Sequence, residues 1–310
     1  MSRVALVASV MVMSVATSLP ARGGDVVSAM DSVVSVLPDW LGRAPNSDEP
    51  EGSGVVIGDG RTVVTAAHVL GNAEKVLVRT RDGDIVNARI KAADKVTDLA
   101  VLELDAPLAA LEFAGDAKVG QRACAIGNAF GLGISMTCGT VSAVNRAGVG
   151  FNTIEDFVQT DAAVNPGASG GALVDAQGRL IGVLSAIFTK QSDANIGVNF
   201  AVSAPLAERV VAGLEKNGQI AWHFAGLSLR IYPGKGNTGR QAARVAQVRG
   251  GTAGELAGLK PGDRIVRAAG RRIRKPQELR GALARLKPGD KIVLEYVRGG
   301  EKARTELTMN

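Results

Sequence analysis

Residues 158–175 read VQTDAAVNPGASGGALVD, and this stretch decides how the rest of the chain is interpreted. Its centre is Ser169, surrounded by glycines and other small residues. Glycines let the backbone turn tightly, so that the N–H groups of Gly167 and Ser169 can point at one spot. Two such donors stabilise the oxyanion that forms when a hydroxyl attacks a carbonyl. The stretch can thus hold a nucleophilic serine with an oxyanion hole, but Gly-x-Ser-Gly-Gly alone is more often structural, and the nucleophilic role is favoured only in combination with the two segments that follow.

Two earlier segments supply the partners that such a serine needs. Residues 65–68 read TAAH and end on His68, and residues 97–102 read TDLAVL and contain Asp98. Histidine can take the serine proton near neutral pH, and an aspartate holds the imidazole in the required tautomer. The chain has only two histidines, so His68 has no competitor in this part. The order His, Asp, Ser is that of chymotrypsin-like enzymes.

The hydrophobic pattern predicts a mostly β chain. From residue 54 to about 203, short apolar runs alternate with Gly, Asn and Asp, which is typical of a barrel or a sandwich. Only residues 69–73 and 205–216 look helical in that part. Residues 224–310 alternate strands with helical pieces at 253–257 and 276–286. We therefore expect a β module followed by a smaller α+β module.

Composition and charge support two modules. A chain of 310 residues suggests two domains, and 46% hydrophobic with 21% charged residues excludes a disordered chain and a polytopic membrane protein. Residues 1–221 carry 17 Lys and Arg against 23 Asp and Glu, a net charge of −6. Residues 222–310 carry 19 against 7, a net charge of +12. The basic module is either simply solvated or attracted to an acidic ligand or an anionic membrane.

The N-terminal segment, residues 1–22, is predicted to be an export signal. Arg3 precedes residues 4–19, which hold no charge, and small residues follow near Ala21. The uncharged stretch is shorter than the roughly 20 residues that span a bilayer. A cleaved signal is therefore favoured over a retained anchor, and in either case we expect the rest of the chain to be exported.

The cysteines and histidines are too few for a metal site, and we predict no metal and no cofactor. A hairpin centred near Gly131 would bring Cys124 opposite Cys138, which leaves open either a disulfide or two buried thiols. The glycine-rich residues 127–133 lack the Lys-Ser/Thr of a phosphate loop and are interpreted as a hairpin loop. Nucleic acid is not an expected partner, because aromatic residues are not interleaved with the basic ones.

Taken together, these motifs resemble the HtrA (high-temperature-requirement) family of serine proteases, over roughly residues 25–310. The matching stretches are GSGVVI at 52–57, TAAHV at 65–69, TDLAVL at 97–102, AIGNAFGLG at 125–133, the serine stretch at 158–175, IGVLSAI at 181–187 and NIGVNFAV at 195–202. The resemblance implies a trypsin-like domain at 25–221, built as two perpendicular six-stranded β-barrels. A single PDZ domain of α+β type would follow at 222–310.

The resemblance also implies where substrate binds. Ser185, Ile187 and Phe188 would line the primary specificity pocket, and the short apolar floor made by Ile187 would favour cleavage after small aliphatic residues. This chain has Ala168 where the family usually has Asn, from which we expect a looser turn but retained activity. The loop at about residues 40–51 is short, which argues against higher-order cages. A homotrimer is what the family resemblance implies.

In the PDZ domain, the loop formed by Phe224, Ala225, Gly226 and Leu227 would offer backbone N–H groups to a peptide C-terminus. The peptide would be added as a strand to a sheet edge. The basic run at 271–275 is either a solvated turn or a surface that attracts acidic peptides or anionic lipids.

The resulting hypothesis is an exported, periplasmic or extracytoplasmic, ATP-independent serine endopeptidase of protein quality control. It would cleave unfolded polypeptides after small aliphatic residues through an acyl-enzyme, with His68 as base, Asp98 as orienter and Ser169 as nucleophile. Membrane association through the N-terminus or the basic module is compatible with this reading. Two alternatives remain: a site-specific regulatory protease activated by a PDZ ligand, and a non-catalytic chaperone or peptide-binding protein.

Overall fold

The computed structural model describes residues 25–39, 52–187, 196–232 and 242–310, and its first strands form a closed barrel. The barrel follows a 3-10 turn at Ser28–Ser32, and its strand order is β1-β2-β3-β6-β5-β4. The strands are β1 (Val33–Asp39), β2 (Gly52–Ile57), β3 (Thr62–Ala66), β4 (Lys75–Arg79), β5 (Ile85–Asp94) and β6 (Leu99–Leu104), with the short helix α1 (Ala67–Leu70) after β3.

A second closed barrel repeats this plan, with strand order β10-β11-β12-β9-β8-β7. Helix α2 (Ala204–Asn217) follows the barrel and lies against strands of both barrels. The strands are β7 (Arg122–Gly127), β8 (Ser135–Arg146), β9 (Phe157–Thr160), β10 (Ala172–Val174), β11 (Leu180–Ile187) and β12 (Asn199–Ser203), with a 3-10 turn at Ala129–Gly131.

The remaining residues form a sheet and two helices that share one core. Its order is β13-β14-β15-β17-β18, with β16 paired to β15. The strands are β13 (Leu227–Tyr232), β14 (Ala242–Val248), β15 (Arg264–Ala268), β16 (Arg271–Arg272), β17 (Lys291–Arg298) and β18 (Glu301–Thr308). The other elements are a 3-10 turn at Phe224–Gly226 and the helices α3 (Ala253–Leu256) and α4 (Pro276–Ala284).

The predicted fold class is confirmed. The residue pattern alone left a barrel and a sandwich open, and the closed barrels decide between them in the way that the family resemblance implied. Helices α2, α3 and α4 lie within one or two residues of the predicted bounds, whereas α1 begins two residues before the predicted 69–73.

Strand β2 shows why the strands of this fold are predicted from apolar runs in the sequence and not from a strict alternation of apolar and polar residues. Every residue of this strand is buried. Val56 packs inside the first barrel, whereas Val55 and Ile57 pack in a core shared with Ile126 and Phe157 of the second barrel. Because both faces of the strand meet apolar neighbours, an unbroken run of apolar and small residues fits the position.

Helix α4 joins the third sheet to the second barrel. Its Leu279 and Leu283 pack in the core beneath the sheet. On the opposite side, a Cβ built at Gly281 would lie 2.3 Å from the carbonyl oxygen of Glu155, so only glycine lets the helix come this close. Arg285, directly after α4, forms ion pairs with Asp116, in the connection between the barrels, and with Asp156, directly before β9.

Some predictions fall on parts of the chain that are not described. The export signal at 1–22, the short loop at 40–51 and Phe188 lie outside the described residues. Ile187 is described only as the last backbone position of β11, and its side chain is not.

The cysteines, for which the sequence left two outcomes open, form a disulfide. Cys124 on β7 lies directly opposite Cys138 on β8, and their Cα atoms are 4.0 Å apart. The hairpin is therefore centred on Gly131, as its symmetry in the sequence indicated. The crosslink closes the loop between β7 and β8, which lies next to the serine stretch in space.

Removing this crosslink should lower stability. The paired change Cys124→Ala with Cys138→Ala frees a 15-residue loop in the unfolded chain, for which the chain-entropy model gives about 3 kcal/mol. Denaturant unfolding of the full chain should therefore move to a lower midpoint. A reductant should shift the wild type in the same direction and leave the variant unchanged; equal midpoints for variant and wild type would contradict the prediction.

Candidate active site

His68 and Asp98 meet on the first barrel. His68 lies in α1, directly after β3, and its Nδ1 is 2.7 Å from Oδ2 of Asp98. The backbone N–H of His68 donates to the other oxygen, Oδ1, at 2.9 Å. An ionised carboxylate only accepts hydrogen bonds, so the Nδ1 carries a proton and the Nε2 of a neutral ring is free to act as a base. The structure brings together the two residues that the sequence predicted as base and orienter.

Asp98 is held in an unusual backbone conformation by its neighbours. Its φ is +59°, which is uncommon for a residue other than glycine. Thr97 precedes Asp98 in the chain, and its N–H and hydroxyl both donate hydrogen bonds to the buried Asp94. From the second barrel, the Asn152 side chain donates to the Thr97 carbonyl at 2.9 Å. These contacts fix the turn that aims the Asp98 carboxylate at His68.

Ser169 lies on the second barrel, between β9 and β10, and connects to Asp98 through Ser185. The Ser169 hydroxyl donates to the Ser185 carbonyl at 3.4 Å, and the Ser185 hydroxyl donates to Oδ2 of Asp98 at 3.5 Å. No hydrogen bond joins Ser169 to His68 in the described structure. Hydrogen bonds between a nucleophile and its base are often long or poorly aligned in sites without substrate.

The backbone before Ser169, where the sequence predicted an oxyanion hole, turns tightly at Gly167. Gly167 has a φ of +92°, and a Cβ at that position would lie 2.4 Å from the Asn128 carbonyl oxygen. Only glycine fits so close an approach. Among the described residues, neither the N–H of Gly167 nor that of Ser169 donates to a protein acceptor. Both predicted donors are thus available to a ligand.

Ser53 is a residue of this site that sequence reasoning did not single out. It is fully buried on β2 of the first barrel, yet its N–H donates to the Ser169 carbonyl at 2.7 Å. Its hydroxyl donates to the Gly167 carbonyl and accepts from the N–H of Asn128. Ser53 therefore links the turn that carries the predicted oxyanion donors to the first barrel. The only signal in the sequence was its place in the GSGVVI motif.

The predicted specificity pocket can be placed only in part. Ser185 is buried, and its hydroxyl faces Asp98, a contact that the sequence did not indicate. The side chains of Ile187 and Phe188 lie outside the described residues, so their pocket roles stay predictions. Ala168, which replaces the usual Asn, is buried against Gly127.

The predicted PDZ loop has a left-handed backbone over three successive residues. The φ angles are +41° at Phe224, +56° at Ala225 and +73° at Gly226. The loop leads into β13, which pairs with β14 on one side and forms the edge of the sheet on the other. An added peptide strand would need such an edge.

Within the ranges that the structure describes, no group of three or more His, Cys, Asp and Glu side chains could hold a metal ion. The chemistry that the arrangement allows is proton transfer and nucleophilic attack by Ser169, with backbone groups to stabilise negative charge.

The chain matches two family models. A trypsin-like peptidase domain matches residues 52–183, and a PDZ domain matches residues 195–309. Among solved structures, the HtrA-type protease AlgW with a tripeptide is 34% identical to the chain, with a TM-score of 0.66. That alignment covers 91% of this chain and 94% of the other.

Curated relatives are longer proteins. The probable periplasmic serine endoprotease DegP-like of Chlamydia trachomatis is 35% identical over 275 residues, which is 86% of this chain and 55% of that protein. The periplasmic serine endoprotease DegP of Escherichia coli is 35% identical over 268 residues, which is 83% of this chain and 56% of that protein. The chain thus spans about half the length of these relatives.

The contacts of Ser53 predict an effect on catalysis. Removal of one oxyanion donor costs roughly 10²–10³ in rate, and displacing the turn that carries two donors should cost part of that, about tenfold in kcat. We expect Ser53→Ala to lower kcat on a chromogenic peptide with little change in KM. Ser32→Ala, which removes a buried hydroxyl outside these contacts, is the matched control. An unchanged kcat in a folded Ser53→Ala protein would show that the turn does not depend on this hydroxyl.

Proposed function

Because the chain belongs to the HtrA-type serine proteases, we propose that it is an exported, ATP-independent serine endopeptidase of protein quality control. One observation carries this proposal: Ser169, beside two unoccupied N–H donors, is linked through Ser185 to the paired His68 and Asp98. The curated relatives are named as periplasmic proteases, which supports an exported location. No helix among the described residues is long and apolar enough to cross a membrane.

The proposed mechanism assigns each of these groups one role. The Ser169 Oγ attacks the scissile carbonyl carbon while His68 Nε2 takes its proton. The N–H groups of Gly167 and Ser169 stabilise the resulting oxyanion, and the carboxylate of Asp98 stabilises the protonated imidazole. His68 then gives the proton to the leaving amine, which produces an acyl-enzyme and releases the first product. Water, activated by His68, hydrolyses the ester and restores Ser169.

The proposed substrates are unfolded polypeptides, cleaved after small aliphatic residues such as Val or Ala. The proposed partners also include peptide C-termini at the PDZ loop. The homotrimer stays a prediction from the family resemblance; two apolar side chains in the loop before β8 support an interface there, since Phe130 is 57% exposed and Leu132 is 87% exposed.

A second candidate function, a regulatory protease activated by a PDZ ligand, is supported by the contact of α4 with the second barrel. Glu155 accepts backbone N–H groups of residues 149–152 and so shapes the loop before it. Within that loop, Asn152 bonds to the Thr97 carbonyl, and the N–H of Ile154 donates to the Val96 carbonyl at 3.0 Å. A shift of α4 would therefore act, through one loop, on the turn that holds Asp98.

Digestion of an unfolded protein tests the main proposal. Wild-type protein should cut reduced casein after Val, Ala or similar residues, as mapped by mass spectrometry, whereas Ser169→Ala should not. Asp98→Asn should lower kcat by about 10⁴, because it favours the wrong imidazole tautomer. Cutting by Ser169→Ala would refute the assignment of the nucleophile. If peptides with free C-termini do not induce cutting in an inactive wild type either, the non-catalytic chaperone becomes the better reading.

Crowding at Gly281 tests the regulatory candidate. A methyl group there must push α4 away from Glu155, whereas the matched Gly115→Ala meets no atom within 4 Å. Coupling between two ligand sites typically changes affinity or activity by about 5–150-fold. We expect a C-terminal peptide to change the wild-type and Gly115→Ala rates by such a factor and to leave Gly281→Ala nearly unaffected. Peptide binding, followed by fluorescence anisotropy, should persist in all three; an equal response in Gly281→Ala would exclude this route.

A further inference from the structure

The outer face of the third sheet points away from the barrels. On the inner face, Leu279 and Leu283 of α4 pack against strand residues such as Ile265 and Leu294. The other side of α4 meets the second barrel at Gly281. Sheet, helix and barrel therefore form successive layers, and the outer face is the far surface of the second module. This face lies on the side opposite the two barrels, the second of which carries Ser169.

A row of basic residues crosses this face from strand to strand. Arg230 on β13 lies directly opposite Arg244 on β14, which lies directly opposite Arg264 on β15. The row continues through Val297 to Lys302 on β18. Like charges directly opposite each other destabilise a sheet. The arginines that lie opposite each other therefore repel, and they do not contribute to the stability of the module.

A second row runs beside the first. Arg267 lies opposite both Arg272 and Glu295, and Glu295 lies opposite Arg304. The two rows border a shallow groove of about 590 Å³, whose lining includes Val266 and Val297. An adjoining groove of about 450 Å³ is lined by Arg230 and Arg244, among others.

Few carboxylates neutralise these rows. Glu295 pairs with Arg267 at 3.6 Å, and Glu306, the other acid on this side of β17 and β18, pairs with Lys291 at 2.8 Å. Six basic side chains then have no carboxylate partner among the described residues: Arg230, Arg244, Arg264, Arg272, Lys302 and Arg304. Arg264 instead lies over the ring of Tyr232, 4.6 Å from its centroid.

This surface differs from the basic run at 271–275 that the sequence singled out. Arg271 pairs with Asp116, in the connection between the two barrels, and Arg274 pairs with Glu278 on the following helix, α4. Arg272 is the one basic residue of that run that lines the groove. The basic side chains without a carboxylate partner are brought together on this face by strand pairing, not by proximity in the sequence.

We propose that this outer face docks on the anionic headgroups of a phospholipid bilayer. Guanidinium groups match phosphate oxygens well, and each basic residue near an anionic bilayer strengthens binding about fivefold. The rows cross five strands spaced about 4.8 Å apart, so the charge is spread over a broad face rather than gathered in one pocket. A surface on the side opposite the barrels suits a large planar partner better than an acidic substrate on its way to Ser169. In a molecule docked in this way, the two barrels would lie on the side that faces away from the bilayer.

Vesicle co-sedimentation of the full chain tests this docking. Wild-type protein should sediment with vesicles of equal parts phosphatidylcholine and phosphatidylglycerol, and far less with pure phosphatidylcholine. An apolar N-terminal segment would bind both kinds, so the difference between them reports charge. The triple change Arg230→Gln, Arg244→Gln and Arg264→Gln should weaken binding to the anionic vesicles on the order of 100-fold. High salt should weaken the wild type in the same way, because it screens the attraction.

Two matched variants make the result specific to this face. Arg249→Gln with Arg274→Gln and Lys275→Gln changes the net charge equally elsewhere on the module and should leave binding within a few-fold of wild type. Glu295→Gln removes an acid from the face and should strengthen binding. The triple variant should also melt no lower than wild type, since it relieves repulsion between paired arginines.

Three results would overturn the proposal. Equal weakening by the two triple variants would mean that net charge alone drives binding. Unchanged binding by a folded Arg230, Arg244 and Arg264 variant would place the bilayer contact elsewhere. Loss of polyglutamate binding in that variant, with vesicle binding kept, would make an acidic polypeptide the partner of this face. None of these measurements depends on peptidase activity, so they stand apart from the casein digestion.

Discussion

The buried hydroxyl of Ser53 is the contact on which the site geometry depends. It lies on β2 of the first barrel but bonds to Gly167 and Asn128, and its N–H bonds to Ser169, all on the second barrel. An unsatisfied buried polar group costs about 1–3 kcal/mol, so these groups hold one another in place. The turn that carries the proposed oxyanion donors is thereby tied to the barrel that carries His68 and Asp98. The site is divided between two barrels, and it keeps its geometry because β2 of the first barrel is hydrogen-bonded to the second.

A second constraint acts from the side of Asp98. Its left-handed backbone persists because Asp94 and Asn152 hold Thr97 from two directions. Strained conformations of this kind cost of order 1–3 kcal/mol and survive only where the surroundings determine them. Here the surroundings include the loop ordered by Glu155, against which α4 packs. The PDZ module and the acid of the proposed triad are therefore mechanically connected.

Charge is organised differently in the sequence and in space. The densest basic run, residues 271–275, is divided between ion pairs with Asp116 and Glu278 and one residue on the sheet face. The unpaired cations come from strands as distant in sequence as β13 and β18. Cross-strand register places them side by side, and register depends on turns and bulges, such as the shift after Ser228, that no charge pattern reveals.

The residues by themselves determined the mostly β class, the helices α2 and α4, and the candidates His68, Asp98 and Ser169, because apolar periodicity and residue chemistry are local signals. They also indicated the Cys124–Cys138 hairpin by symmetry about Gly131. Only the tertiary structure decided closed barrels over a sandwich, a disulfide over two thiols, the bridging roles of Ser53 and Ser185, and the basic face. Each of these depends on which strands lie side by side, and strand pairing is fixed by packing between segments far apart in the chain.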